Sequence, residues 1–149
     1  MEKIRPALMV MGKTITQVGP TGSGALVKLL NNFLAGVHVA AFAEALAWLE
    51  RTGLDRTKAV AFLMEGAAAS PVTKVVAARM TAEDYSPNFF LRLMAKDLGY
   101  ALREAAGKQV TLRTAATALD RFQAAIANGH GDEDMAAIVK TARAEKAGD

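Results

Sequence analysis

Residues 25–51 read ALVKLLNNFLAGVHVAAFAEALAWLER, and this stretch decides the fold. Alanine, leucine and other helix formers dominate it, proline is absent, and Gly53 closes it. The 17 residues from Phe33 to Leu49 carry only His38 and Glu44 as polar side chains. A span of the hydrocarbon core needs about 20 apolar residues, and a glutamate near its end would be costly there. Gly36 and the many alanines point instead to a helix surrounded by protein, so a long central helix is expected and no membrane span.

Working outward, the flanking segments supply the helices that would surround it. Residues 2–11 read as a short helix closed by Gly12. Thr14-Ile15-Thr16-Gln17-Val18 is a β-prone run ended by Gly19-Pro20, with no later segment that reads as its partner. A lone strand leaves its backbone groups unpaired, so this one is expected to belong to a sheet that the chain does not contain. Downstream, Asp55 caps a helix to about Met64, and Ser70-Pro71 opens another through about Met80. Asn88 is expected to start the next, with Leu91, Met94, Leu98, Ala101, Leu102 and Ala105 as its apolar stripe. Residues 111–128 form a further helix with Leu112, Ala116, Leu119, Phe122 and Ile126 facing inward, and Asp132 caps a last one to about Ala144. The expected fold is all-α, a helical bundle around one long helix.

Composition narrows the function. Apolar residues make up 52% and charged residues 22%, the balance of a folded globular chain, and 149 residues suit one domain. The 18 Lys and Arg are interleaved with 15 acids, and no basic stretch alternates with aromatics, so nucleic acid is not an expected partner. No cysteine is present, which removes thiolate chemistry and disulfides and fits a reducing cytoplasm. Two histidines without a carboxylate cluster offer no metal site.

Gly19-Pro20-Thr21-Gly22-Ser23-Gly24 invites two phosphate-loop readings, and both fail on the residues. A Walker loop requires Lys and Ser/Thr after the last glycine, where Ala25 and Leu26 stand. A dinucleotide fingerprint requires a third glycine at Val27 and a second strand carrying an acid, but unbroken helix follows. What remains is a glycine turn that starts a helix. On that helix Lys28 and Asn32 are four apart and share a face, with Asn31 beside them. They admit two readings: a solvated helix end with a snorkelling lysine, or a lysine acid/base oriented by an amide. His38 lies about 15 Å along the helix and Glu44 about 24 Å, so neither belongs to the group.

Residues 19–32, Gly-Pro-Thr-Gly-Ser-Gly-Ala-Leu-Val-Lys-Leu-Leu-Asn-Asn, resemble the catalytic motif of the β-hydroxyacid dehydrogenases, the 3-hydroxyisobutyrate dehydrogenase family. Phe42-Ala43-Glu44-Ala45 and Met94-Ala95-Lys96-Asp97-Leu98 agree with the same family, as does Arg5-Pro6 with Met11-Gly12-Lys13. The 6-phosphogluconate dehydrogenases are related but carry His-Asn where this chain has Asn31-Asn32, and their helical domain is much larger.

The resemblance implies a C-terminal domain of the 6-phosphogluconate dehydrogenase type over residues 20–149. Residues 1–19 would then be the end of a Rossmann domain otherwise absent. It implies Lys28 as general acid/base, Asn32 with Asn31 binding substrate, and Lys96 on the nicotinamide side of the cleft. Phe90 and Asp97 would shape the pocket wall. The cofactor would be NAD or NADP in the full-length enzyme, with none tightly bound here, and the substrate a small 3-hydroxy acid or semialdehyde. Lacking the dinucleotide-binding fingerprint, the chain alone should turn over nothing. A helical oligomerisation module without catalysis is the alternative, and the family's C-terminal domains pair, so a homo-oligomer, for instance a dimer, is expected either way.

Overall fold

The computed structural model describes residues 4–145 and is helical throughout its regular elements. They are α1 (Arg5–Met11), α2 (Ser23–Leu49), α3 (Arg56–Glu65), α4 (Pro71–Ala82), α5 (Leu91–Gly107), α6 (Arg113–Ala127) and α7 (Ile138–Ala144). A 3-10 turn, Met135–Ala137, leads into α7. Helix α2 is the axis, with α4, α5, α6 and α7 packed against it.

The expected starts and stops hold where local chemistry sets them. The Asp55 carboxylate accepts from the Lys58 N–H at 3.1 Å and caps α3. The Ser70 hydroxyl accepts from the Thr73 N–H at 3.2 Å and caps α4, with Pro71 in the first turn. Gly22 adopts a left-handed φ of 97° just before α2, a conformation that L side chains resist.

Several boundaries move for tertiary reasons. Thr14–Val18 joins no ladder, and the described residues contain no strand; without a partner the run has nothing to pair with. Helix α5 begins at Leu91, not Asn88: the Asp134 carboxylate holds the N–H groups of Asn88 (3.1 Å) and Phe89 (3.0 Å), and the Phe89 carbonyl accepts from the Met135 N–H at 2.9 Å instead of from a residue four further on. The Leu91 N–H then donates to the Glu133 carbonyl at 2.9 Å, so the incoming chain is tied down before the helix turns.

The same Asp134, rather than Asp132, caps the last element through the Ala136 N–H at 3.0 Å. It is 1% exposed and also pairs with the Arg79 guanidinium, whose Nε lies 3.3 Å away without hydrogen-bond alignment. Asp132 instead pairs with Arg92 at 2.6 Å. On α6 the inward residues are Ala115, Ala118, Phe122 and Ala125, while Ala116 and Ile126 are exposed. Phe122 fixes the rotation: once this large ring is fully buried, the alanine-lined face one position N-terminal to Ala116 packs closest. The first helix starts at Arg5 and buries none of its residues; the expected helical residues 2 and 3 and the tail beyond 145 lie outside the described residues.

The core gathers Val39, Phe42, Leu46, Val76, Met80, Leu91, Leu98, Phe122 and Val139 around the second half of α2. Every buried residue of α2 lies between Gly36 and Leu49. The helix is long and apolar enough by composition to cross a membrane, yet it spends this half inside the bundle. Gly36 sits where α5 crosses: a Cβ there would meet the Leu98 and Met94 side chains at 3.0 Å. Only hydrogen at that position lets the two helices close to this distance.

Candidate active site

The first half of α2 leaves the core and runs along α5. There Lys28 and Asn32, on one face as their spacing requires, meet Asp97 of α5. Asp97 occupies the apolar stripe of α5 between Met94 and Ala101, so packing carries its carboxylate inward until the side chain is only 7% exposed. A buried carboxylate needs partners, and three converge on it. The Asn32 amide donates to Oδ2 at 2.6 Å, the Lys28 ammonium lies 3.6 Å from the same oxygen, and the Lys96 ammonium lies 3.0 Å from Oδ1.

Burial by itself would raise the Asp97 carboxyl. Hydrogen bonds from Lys96 and Asn32, with the charges of Lys96 and Lys28, together outweigh that and hold it below the usual carboxylate range. Asp97 is therefore a fixed anion that orients an amide and two ammonium groups. Such charge-assisted contacts are stronger and shorter than neutral ones, and they restrict long side chains that would otherwise sample many rotamers.

Of the expected site residues, the structure brings Lys28, Asn32 and Lys96 together. Asn31 joins only at one remove, its side-chain amide donating to the side-chain Oδ1 of Asn32 at 3.4 Å. Phe90 stands at the start of α5 beneath the Arg92 guanidinium, 4.6 Å from ring centre. His38 is elsewhere, with Nδ1 3.1 Å from the Ser70 hydroxyl, and the exposed Glu44 lines a shallow groove between α2 and α6. Among the described residues no three His, Cys, Asp or Glu side chains gather as a metal site would require.

The hub itself is what reading the sequence undervalued. The resemblance implies only a place on the pocket wall for Asp97, whereas it holds the whole group. The signal was present: an acid set into the apolar stripe of an amphipathic helix must be paired or it will not be buried.

Two readings of Lys28 were open, and the geometry combines them. Its side chain is 70% exposed, so this end of α2 does reach solvent; it is also tethered to Asp97. With one side of the ammonium turned to the carboxylate, its remaining N–H bonds face open space and can reach an oxygen presented there. Lys96, half exposed, lies 5.4 Å from the centre of the Tyr100 ring. A cation and an aromatic ring thus stand side by side on an open face.

The fold and site define a class: an all-helical module that gathers two lysines and an amide about one buried carboxylate at an open face. The chain belongs to the family described as the NAD-binding domain of NADP-dependent 3-hydroxyisobutyrate dehydrogenase, whose model matches residues 22–142. Among curated relatives, the 2-hydroxy-3-oxopropionate reductase of Escherichia coli is 32% identical over 139 residues, covering 93% of this chain and 48% of the relative. The 2-(hydroxymethyl)glutarate dehydrogenase of Eubacterium barkeri is 36% identical over 140 residues, covering 93% of this chain and 46% of the relative. The crystal structure of a 3-hydroxyisobutyrate dehydrogenase from Salmonella typhimurium superposes with a TM-score of 0.89 at 30% identity, covering 94% of this chain and 50% of that one. The chain thus spans about half the length of the proteins it resembles, and the family resemblance read from residues 19–32 and 94–98 is borne out.

Proposed function

We propose that the chain is the C-terminal catalytic domain, of the 6-phosphogluconate dehydrogenase C-terminal type, of an NAD(P)-dependent 3-hydroxyacid dehydrogenase or semialdehyde reductase. In this reading residues 20–149 are the domain and residues 1–19 the end of a dinucleotide-binding domain. The observation that carries it is the convergence of Lys28, Asn32 and Lys96 on Asp97, in a chain that matches the family over residues 22–142.

The bound nicotinamide cofactor would supply or accept the hydride at the carbon bearing the substrate oxygen. The protein's own part is proton transfer and positioning. In reduction the Lys28 ammonium donates a hydrogen bond to the carbonyl oxygen and delivers its proton as negative charge develops there. In oxidation the neutral amine removes the hydroxyl proton. Asp97 stays ionised throughout, holding Lys28 and turning Asn32 so that its free N–H can bind substrate. Lys96 borders the cofactor's side.

Lys28→Ala in the full-length enzyme should lower turnover by about 10²–10⁴. The folded structure, followed by circular dichroism and thermal unfolding, should be unchanged because the side chain is exposed. Normal turnover in a folded variant would sink the assignment.

A second reading rests on a separate observation. Leu26, Val27, Leu30 and Leu34 expose an apolar surface on the first half of α2, as a helical oligomerisation module would. Light scattering that finds a dimer, with no thermal shift on adding micromolar NAD(H) or NADP(H), favours that module. A clear shift would show instead that this chain carries a cofactor site of its own.

A further inference from the structure

Helix α2 is apolar on two sides, and the bundle covers one of them. Its buried residues beyond Gly36 include Val39, Phe42, Ala43 and Leu46. On the opposite side Leu30, Leu34, Val37, Ala41, Glu44 and Trp48 follow one another at alternating steps of four and three residues. That is the spacing of a seam along which two helices pack. Val37 is half-buried and the others are exposed, Trp48 to 75%. The neighbouring helices face water differently: α5 presents Arg92, Lys96 and Arg103 to it, and α6 presents Arg113, Thr117 and Asp120. A helix that met only solvent would carry its charges on this side.

Glu44 is the one charge on the seam, and it marks what the seam meets. It lines a groove between α2 and α6 whose floor is Val37, Ala40, Ala41 and Ala118. Arg113 borders the same groove. Among the described residues neither Glu44 nor Arg113 has an opposite charge within ion-pair distance, and Arg121, the other cation there, is paired with Glu145. Leu112, just before α6, lies with Leu26 and Leu30, whereas Arg121 meets Glu145, whose carbonyl the Arg51 guanidinium holds. The two helices therefore run in the same direction. Arg113 lies towards the Val37 end of the groove and Glu44 towards the Arg121 end.

We infer that this side of α2 is the contact surface for a second copy of the chain, with the two α2 helices antiparallel and crossing at Ala41, an inference that rests on the pairing reading given above and not on that of Lys28. A closed pair has a two-fold axis. An axis along α2 would set Glu44 against its own equivalent, and like charges brought together in an interface oppose it. An axis across α2 at Ala41 turns the second copy end for end. Trp48, seven residues after Ala41, then covers Leu34, seven before it. The same axis keeps the α6 sides of the two copies on one flank. Glu44, three residues after Ala41, thus comes beside Val37, four before it, and beside the unpaired Arg113 of the second copy. Symmetry makes this ion pair twice. Alanine at the crossing lets the helix axes approach to about 8–10 Å, the separation of packed helices.

Analytical ultracentrifugation of the 149-residue chain should find a dimer at micromolar concentration. Ala41→Glu should abolish it, because two unpaired carboxylates would be buried at the crossing. Glu44→Arg and Arg113→Glu, each alone, should raise the dissociation constant about tenfold or more by setting like charges together. The double variant restores opposite charges and should recover most of that loss. All three positions are exposed, so helix content by circular dichroism should not change in any variant.

A chain that stays monomeric at high micromolar concentration overturns the inference and the pairing reading with it; another protein then covers this side of α2, or none does. A dimer unmoved by Ala41→Glu overturns the placement and leaves pairing itself standing. Single reversals that weaken the dimer without recovery in the double variant overturn the antiparallel crossing. None of these changes touches Lys28, Asn32, Lys96 or Asp97, so the catalytic reading is decided separately, by the turnover of Lys28→Ala.

Discussion

The two halves of α2 have similar composition and opposite fates. From Ser23 to Ala35 no residue is buried, and Leu26, Leu30 and Leu34 are 39–53% exposed. From Gly36 to Leu49 eight residues are buried, with Val39 and Leu46 at 0–1%. Apolar character does not by itself assign a residue to the core; what stands opposite it does. The second half lies in the core among buried residues of α4, α5, α6 and α7, while the first half runs past Asp97 and Ala101 of α5 with its leucines open to solvent. Stability is therefore concentrated in one half and the candidate chemistry in the other. A lysine and an asparagine are tolerated in the first half because solvent and one buried carboxylate satisfy them.

The sharpest way to break this comparison is a matched pair of truncations. Leu46→Ala, in the buried half, should cost about 2–5 kcal/mol in denaturant unfolding, since a cavity is left that the bundle cannot refill. Leu30→Ala, in the open half, should stay within about 0.5 kcal/mol. Equal losses would mean that both halves carry the fold alike.

The junction comes next in size. Gly36→Val places methyl groups where Leu98 and Met94 already stand at 3.0 Å from a Cβ. The strain should destabilise the protein by about 1–3 kcal/mol. Because α5 carries Asp97, the displacement should also disturb the Asn32 side-chain amide resonances. Destabilisation without any change at Asn32 would mean that the halves are mechanically independent.

The smallest effect concerns pH. The Asp97 carboxyl is held below its ordinary value of about 3.9, so the folded state binds its proton less readily than the unfolded state does. Its contribution is complete above that value and is lost as pH falls through the lower folded one. Asp97→Asn should therefore flatten the acid limb of the stability–pH profile below about pH 4 and leave its slope near neutrality unchanged. An unaltered acid limb would mean that Asp97 is not the anion organising this site.

Much of the fold was legible because helix ends are local events. Asp55, Ser70-Pro71 and the glycine turn before Ser23 act on backbone groups within three residues of themselves, and each did what its chemistry predicts. Lys28 and Asn32 were legible as a pair for the same reason, since helical spacing alone sets them on one face. The family motif added their meaning. Where the segment around Asp134 reached across from the far end of the chain, local signals failed: Asn88 read as a helix start, but the Phe89 carbonyl next to it is taken by the Met135 N–H.

The sequence by itself determined a helical chain, its punctuation, and a lysine–amide pair after a glycine turn, because these depend on neighbours a few residues away. Only the tertiary structure decided that Asp97, 65 residues from Asn32, would be the anion on which the site is built. It also decided which half of α2 would be core. The reason is common to both: burial of a charge or of an apolar face depends on what another helix brings to it.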